Sequence, residues 1–119
     1  MPDDLQTARE TMVLEHLLHR GIRDTRVLDA MRKVPRERFV PPTEWDRAYA
    51  DQALPVDCGQ TISQPYIVAL MTEAMAMSGD ERVLEIGTGT GYQTAILAEL
   101  ACEVVTIERH AELSEKAVR

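Results

Sequence analysis

The sequence predicts an α/β fold, in which an N-terminal helical segment leads into the first βαβ unit of a doubly wound sheet. Apolar residues in the first part of the chain recur at three- and four-residue spacing, as in amphipathic helices. From residue 82 the pattern changes to an apolar strand, a glycine-rich turn, a helix and a second apolar strand. Because a βαβ crossover gives parallel strands, residues 79–108 are predicted to open such a sheet.

Two helices are predicted before residue 35. The first spans residues 5–18 and ends at Gly21. Its apolar stripe consists of Val13, Leu14, Leu17 and Leu18. The second is capped by Asp24 or Thr25 and ends before Pro35, which removes an N–H donor and restricts the preceding residue.

The middle of the chain is predicted to be less regular. Prolines interrupt residues 34–49, and a short extended or turn segment is expected over residues 54–59. A strongly apolar helix over residues 65–77 is expected to be buried, and a further helix is expected to begin at residue 110. The side chains available to anchor the irregular segment are Phe39, Val40, Trp45 and Tyr49. The methionines expected in the core are Met71, Met75 and Met77.

Composition narrows the class of protein. The chain has 119 residues, is 45% hydrophobic and carries a net charge of −7, and the excess acid lies after residue 50. Nucleic-acid binders need the opposite charge on their docking face. No apolar stretch approaches the roughly 20 residues of a membrane span. The two cysteines form no CxxC motif, which favours a reducing cytoplasm over a disulfide framework or zinc site.

The two strands of the predicted βαβ unit do not make a complete sheet. Two parallel strands do not form a stable sheet, and a parallel sheet needs cover on both faces. We therefore expect the natural protein to continue with further βα units.

The glycine-rich turn indicates a nucleotide-like cofactor. Its spacing, Gly87-x-Gly89-x-Gly91, is tighter than the Gly-x-Gly-x-x-Gly of dinucleotide-binding proteins. Glu85 precedes it, and Glu108 lies 17 residues after Gly91. At that position a carboxylate can accept hydrogen bonds from both ribose hydroxyls of a nucleotide-like cofactor. This combination resembles the first motif of class I methyltransferases that use S-adenosylmethionine.

A second group of motifs is more specific. Thr-Ile-Ser-Gln-Pro at residues 61–65, together with residues 34–41, 48–49 and 83–93, occurs in the order and spacing of one family. From about Thr11 to residue 119 the chain is similar to protein-L-isoaspartate (D-aspartate) O-methyltransferases. The resemblance implies a Rossmann-like methyltransferase fold. It also implies methyl transfer from S-adenosyl-L-methionine to the α-carboxylate of L-isoaspartyl and D-aspartyl residues, without a metal.

The resemblance also implies that the chain consists of two segments with different roles. Residues 1–78 form a helical, substrate-side segment with the Ser63 loop, and residues 79–119 begin the cofactor-binding domain. Ser63 is the implied catalytic residue. The implied substrate-binding residues are Gln60, Thr61 and Ser63. The implied cofactor-binding residues are Thr61, Glu85, Gly87, Thr88, Gly89, Gly91, Glu108 and Arg109.

The implied partners are damaged proteins or peptides containing these residues. We expect neither nucleic acid nor a membrane as a partner. The protein is expected to be a cytoplasmic monomer, and these 119 residues alone are expected to show little or no activity. One departure is Asp57, where many family members carry glycine; its carboxylate would disfavour an anionic substrate.

Simpler interpretations stand beside several of these residues. Ser63 fits the N-cap of the helix near Pro65, because serine is a favoured capping residue. His16 and His19, with Glu15, have metal-ligand spacing but are typical of a helix surface. Cys58 has no histidine nearby in sequence to activate it, which favours a packing role.

Two other functions remain open. Another class I methyltransferase, acting on a small molecule or RNA, would not need residues 61–63. A non-catalytic module would bind a partner peptide through Phe39, Trp45 and Tyr49.

Overall fold

The computed structural model describes residues 2–56 and 61–108, and its first elements form one continuous helical stretch. Helix α1 (Pro2–Thr11) continues into a π-helix (Met12–Leu17) and a 3₁₀ turn (Leu18–Arg20). Gly21, at φ 102°, ends the stretch as predicted.

The apolar stripe predicted for this stretch is only half correct. Val13 and Leu17 are buried, whereas Leu14 and Leu18 are exposed. The π-helix has a wider turn than an α-helix, so the residues that share a face are not those expected from α-helical spacing.

Helix α2 (Thr25–Lys33) packs against two later helices, which span Pro65–Ala74 and Tyr92–Leu100. Asp24 is its N-cap, since the carboxylate accepts hydrogen bonds from the backbone N–H groups of Arg26 and Val27. The helix ends at Lys33, ahead of Pro35, as predicted.

Short elements carry the chain from α2 to the next helix. Two 3₁₀ helices, Arg36–Phe39 and Pro42–Arg47, occupy the segment predicted to be irregular. Strands β1 (Leu54–Pro55) and β2 (Thr61–Ile62) then pair in antiparallel fashion, with Leu54 opposite Ile62. Both of these side chains are buried, which fixes the ribbon to the core.

Helix α3 (Pro65–Ala74) is shorter and less buried than predicted. Val68, Ala69 and Thr72 face the core. The prediction of a wholly buried helix is wrong, because its other face is apolar yet exposed: Ile67, Leu70, Met71 and Met75. Of the three methionines assigned to the core, Met77 alone is buried, since no described element packs over the opposite face of the helix.

The predicted βαβ unit is confirmed. Strand β3 (Arg82–Ile86) pairs in parallel with β4 (Glu103–Ile107), and α4 (Tyr92–Leu100) connects them. Helix α4 packs on α2 and buries Ile96, Leu97 and Leu100. The opposite face of the two strands is apolar and exposed: Leu84, Ile86, Val105 and Ile107.

The buried apolar residues form one cluster that runs from the π-helix to α4. It therefore includes residues on both sides of the predicted division at residue 78, which stays a prediction. The helix predicted from residue 110 lies outside the described residues. None of the described helices is both long and apolar enough to cross a membrane.

The turn before β3 depends on one carboxylate. Glu81 accepts hydrogen bonds from the N–H groups of Ser78 (2.7 Å) and Gly79 (2.9 Å) and from the Ser78 hydroxyl. These donors, led by the Ser78 amide, lower the pKa of Glu81 from 4.5 to about 2.

This turn gives a prediction for acid stability. Because the folded-state pKa of Glu81 lies below its unfolded value, its contribution is fully present above pH 4.5 and is lost as the pH falls toward 2. Glu81→Gln is expected to flatten the loss of stability between those pH values. Urea unfolding midpoints across this range measure it, with Asp80→Asn, an exposed acid in the same turn, as the control. An unchanged pH dependence in Glu81→Gln contradicts the assignment.

Candidate functional site

The glycine-rich loop turns across the end of the parallel strand pair. Gly87, Gly89 and Gly91 have φ values of 85°, 58° and 91°, a backbone region that favours glycine. The N–H groups of Gly87 and Thr88 both donate to the carbonyl of Ile107, at 2.6 and 3.1 Å. The loop is therefore held by β4, and Gly91 is the N-cap of α4.

Space remains open beside this loop. Among the described residues other than its two chain neighbours, a β-carbon placed on Gly87 or Gly89 would meet no atom within 4 Å. The backbone conformation requires glycine, and the open space lets a ligand approach the main chain. These two observations fit the residues to a nucleotide-like cofactor.

Glu108 lies next to the loop, as its position after β4 predicts. Its Oε1 accepts a hydrogen bond of 2.7 Å from the N–H of Gly89. The carboxylate is therefore bonded directly to the glycine-rich loop, at the edge where ligands of open α/β sheets generally bind.

Glu85 lies beneath the loop rather than on it. Its carboxylate accepts hydrogen bonds from the hydroxyls of Thr94 on α4 and Thr106 on β4, the latter at 2.8 Å. The Thr106 hydroxyl also contacts that of Thr88, which is buried. This polar chain joins both strands, the loop and the helix, and sequence reasoning found neither Thr94 nor Thr106.

The Ser63 loop begins at the β1–β2 ribbon. Ile62 points into the core, and Thr61 and Ser63 on either side of it are exposed. Alternation along an extended chain puts these two hydroxyl side chains on one side, away from the core. The N-cap of α3 is Gln64, so the capping interpretation of Ser63 is wrong.

Two contacts hold the chain around Ser63 in place. The carbonyl of Ser63 accepts a 2.8 Å hydrogen bond from Nη2 of Arg36. The side chain of Gln64 donates to Oδ1 of Asp51 at 2.7 Å, and Asp51 also pairs with Arg20. Ser63 is thus exposed on a loop that is held by one hydrogen bond to its own carbonyl and by another from the side chain of the next residue.

Some predicted residues lie outside the described part of the chain, namely Gln60, Arg109, Cys58 and Asp57. The described residues contain no group of three or more potential metal ligands from His, Cys, Asp and Glu. His16 and His19 lie on the π-helix and the following 3₁₀ turn, respectively.

Comparison with known proteins gives the family. Residues 8–119 match the family model of protein-L-isoaspartate(D-aspartate) O-methyltransferase. A protein-L-isoaspartate O-methyltransferase of Dictyoglomus turgidum is 65% identical over 105 residues, which cover 88% of this chain and 48% of the relative. One from a Synechococcus strain is 57% identical, over 97% of this chain and 47% of the relative. The chain spans about half the length of these curated relatives.

Solved structures agree with the predicted α/β class. A protein-L-isoaspartate O-methyltransferase superposes with a TM-score of 0.81 at 31% identity, covering 93% of this chain and 37% of the other. A Plasmodium falciparum homologue, solved in complex with S-adenosyl-L-homocysteine, gives a TM-score of 0.76 at 25% identity, over 92% and 53%. The family model covers almost the whole chain, and the sequence resemblance is confirmed. The chain belongs to the protein-L-isoaspartate (D-aspartate) O-methyltransferase family.

Proposed function

We propose that this chain supplies the methyl-donor loop and the substrate loop of a protein repair methyltransferase. The reaction moves a methyl group from S-adenosyl-L-methionine to the α-carboxylate of L-isoaspartyl, and also D-aspartyl, residues in damaged proteins. The observation that carries the proposal is the exposed Ser63 on a loop fixed by Arg36, whose guanidinium also lies over Tyr92, the residue after Gly91.

The methyl donor fits the glycine loop and its neighbours. Gly87 and Gly89 would present main chain to it, and Gly91, which is buried, would turn the chain into α4. Glu108 would accept hydrogen bonds from its ribose hydroxyls. Glu85 and Thr88 would act through the polar chain that holds the loop in place. Thr61, Gln60 and Arg109 stay predictions for contacts with the donor or the substrate.

The main requirement of this reaction is that the protein orient the substrate carboxylate toward the methyl group. The substrate α-carboxylate, with a pKa of about 3.5, is ionised at neutral pH, so no general base is needed. Bound S-adenosyl-L-methionine supplies a methyl group on a positively charged sulfur. Ser63 would hold the carboxylate with a hydroxyl donor, which leaves the attacking oxygen more nucleophilic than a strong cation would. In-line orientation alone contributes several kcal/mol.

The competing idea of a peptide-binding module finds less support. Of its three proposed anchors, Tyr49 is buried and Phe39 packs on Tyr92, with 5.6 Å between ring centroids. Trp45, at 41% exposure, is the one of the three with an open surface.

The exposed thiol of Cys102 agrees with the reducing cytoplasm that we propose as the location.

The test uses a completed chain, in which residues 1–119 are followed by the C-terminal half of the Dictyoglomus turgidum relative. Labelled S-adenosyl-L-methionine is offered with three synthetic peptides that differ only in an L-isoaspartyl, D-aspartyl or L-aspartyl residue. We expect transfer to the first, weaker transfer to the second and none to the third. No transfer to any, or equal transfer to the L-aspartyl peptide, contradicts the proposal.

The 119-residue chain serves as the companion sample. We expect little or no methyl transfer from it, since the described strands form only one parallel pair. Calorimetry with S-adenosylhomocysteine checks this, and micromolar binding would show the expectation to be wrong.

A further inference from the structure

Arg36 is the largest of the completely buried side chains, at 0% exposure. It begins the 3₁₀ helix Arg36–Phe39, and the ion pairs among the described residues do not include it. A guanidinium stays protonated in proteins, although burial lowers the pKa of Arg36. A buried charge without a paired carboxylate is costly to stability. Its presence here calls for a role beyond holding the core together.

The contacts of Arg36 lead to both loops of the proposed site. Its Nε donates to the carbonyl of Ala48 at 2.6 Å, and its Nη2 donates to that of Ser63 at 2.8 Å. Its guanidinium carbon lies 4.9 Å from the centre of the Tyr92 ring, within cation–π range. Since Tyr92 follows Gly91 directly, one side chain connects the Ser63 loop to the end of the glycine loop.

The backbone of Arg36 is itself fixed. Its N–H donates to the hydroxyl oxygen of Tyr49 at 3.0 Å. That hydroxyl donates to Glu37 and accepts from Nε of Arg9 at 2.8 Å. The guanidinium therefore extends from an anchored base and can act as a rigid spacer.

One nitrogen of the guanidinium makes no hydrogen bond within the described part of the chain. Nη1 of Arg36 is buried and has no hydrogen-bond partner among the described residues. Buried polar atoms are normally paired, and an exception asks for a reason. The guanidinium is thus oriented so that it contacts the Ser63 carbonyl and the Tyr92 ring, while its Nη1 makes no hydrogen bond among the described residues.

We propose that Arg36 is a positioning residue that sets the separation between the Ser63 loop and the glycine loop. This inference rests on the proposed methyl transfer, in which the carboxylate held at Ser63 must meet the donor in line. A misplacement of about 1 Å can reduce the rate of such a reaction by about a hundredfold.

Kinetics of Arg36→Lys in the completed chain test the inference. Lysine keeps the charge but lacks the planar fork that reaches two carbonyls at once. We expect kcat to fall by about tenfold or more, while the peptide KM and the Kd of S-adenosylhomocysteine change by less than about threefold. An unchanged kcat, or a loss confined to KM, overturns the proposal.

Arg26→Lys is the matched control. Arg26 makes the same kind of clamp, from Nη1 to the carbonyl of Met77 (2.6 Å) and from Nη2 to that of Leu100 (3.0 Å), but contacts neither loop. It is expected to lower the melting temperature and to leave kcat unchanged. If both variants lower kcat equally, Arg36 acts only through general stability and the proposal fails.

Hydrogen exchange separates this inference from the proposed function. Backbone amides of residues 61–64 and of Tyr66 are expected to exchange about tenfold faster in Arg36→Lys and at the original rate in Arg26→Lys. Unchanged exchange in Arg36→Lys contradicts the clamp, whether or not the completed chain transfers methyl groups. Should Arg36→Lys not fold, Arg36→Gln, which removes the buried charge, takes its place in both measurements with the same expected results.

Discussion

Replacing Ser63 with alanine in the completed chain is expected to lower kcat for the L-isoaspartyl peptide by about a hundredfold. The hydroxyl is exposed beside Thr61, and Gln64 rather than Ser63 takes the N-cap position of α3. Its loss would therefore remove a donor to the substrate carboxylate without removing a helix cap. Steady-state kinetics with the three peptides measure the effect.

Stability provides the control for this result. An exposed substitution that breaks no cap changes the free energy of unfolding by about 0.5 kcal/mol or less. The melting temperature of Ser63→Ala should therefore stay close to that of the parent, and Ser63→Thr, which restores a hydroxyl, should recover part of kcat. A normal kcat in Ser63→Ala excludes Ser63 from catalysis, and a large fall in melting temperature assigns it a structural role instead.

The local parts of the fold could be predicted from sequence because their signals are local. Gly21 ends its helix with a positive φ, and Asp24 caps the next through its own carboxylate. The order strand, glycine turn, helix and strand gives the parallel pair of β3 and β4. The first two features depend on residues a few positions apart, and the third depends on the order of signals within one βαβ unit.

The parts that sequence reasoning missed depend on distant contacts. In the sequence Arg36 is one of seven basic residues between Arg20 and Arg38, and nothing in that pattern sets it apart. Only the folded chain brings it to Ser63, 27 positions away. Glu85 matches a motif, but its partner Thr106 lies on another strand. Hydrophobic spacing predicts core positions for Met71 and Met75, but both are exposed. Spacing identifies an apolar helix face without showing what covers it.

Gly89→Ala in the completed chain is expected to weaken S-adenosylhomocysteine binding by about tenfold or more, equivalent to a loss of about 1.4 kcal/mol or more. Gly89 has a φ of 58°, which an alanine can adopt at a cost of about 1 to 2 kcal/mol. Apart from the two chain neighbours, the added β-carbon would meet no atom of the described residues within 4 Å, so it would occupy the open space beside the loop. Calorimetric titration gives the change in Kd.

Gly21→Ala separates ligand exclusion from backbone strain. Gly21 also has a positive φ, of 102°, and a β-carbon there also meets nothing within 4 Å, but it ends a helix far along the chain from the cofactor loop. Both variants should lose stability, and only Gly89→Ala should lose affinity. If Gly89→Ala binds like the parent, the glycine serves only to reverse the chain. The open space beside the loop would then not be the site of the methyl donor. The role proposed for Glu108 in binding the ribose would fail as well, because its carboxylate lies beside that space, bonded to the N–H of Gly89.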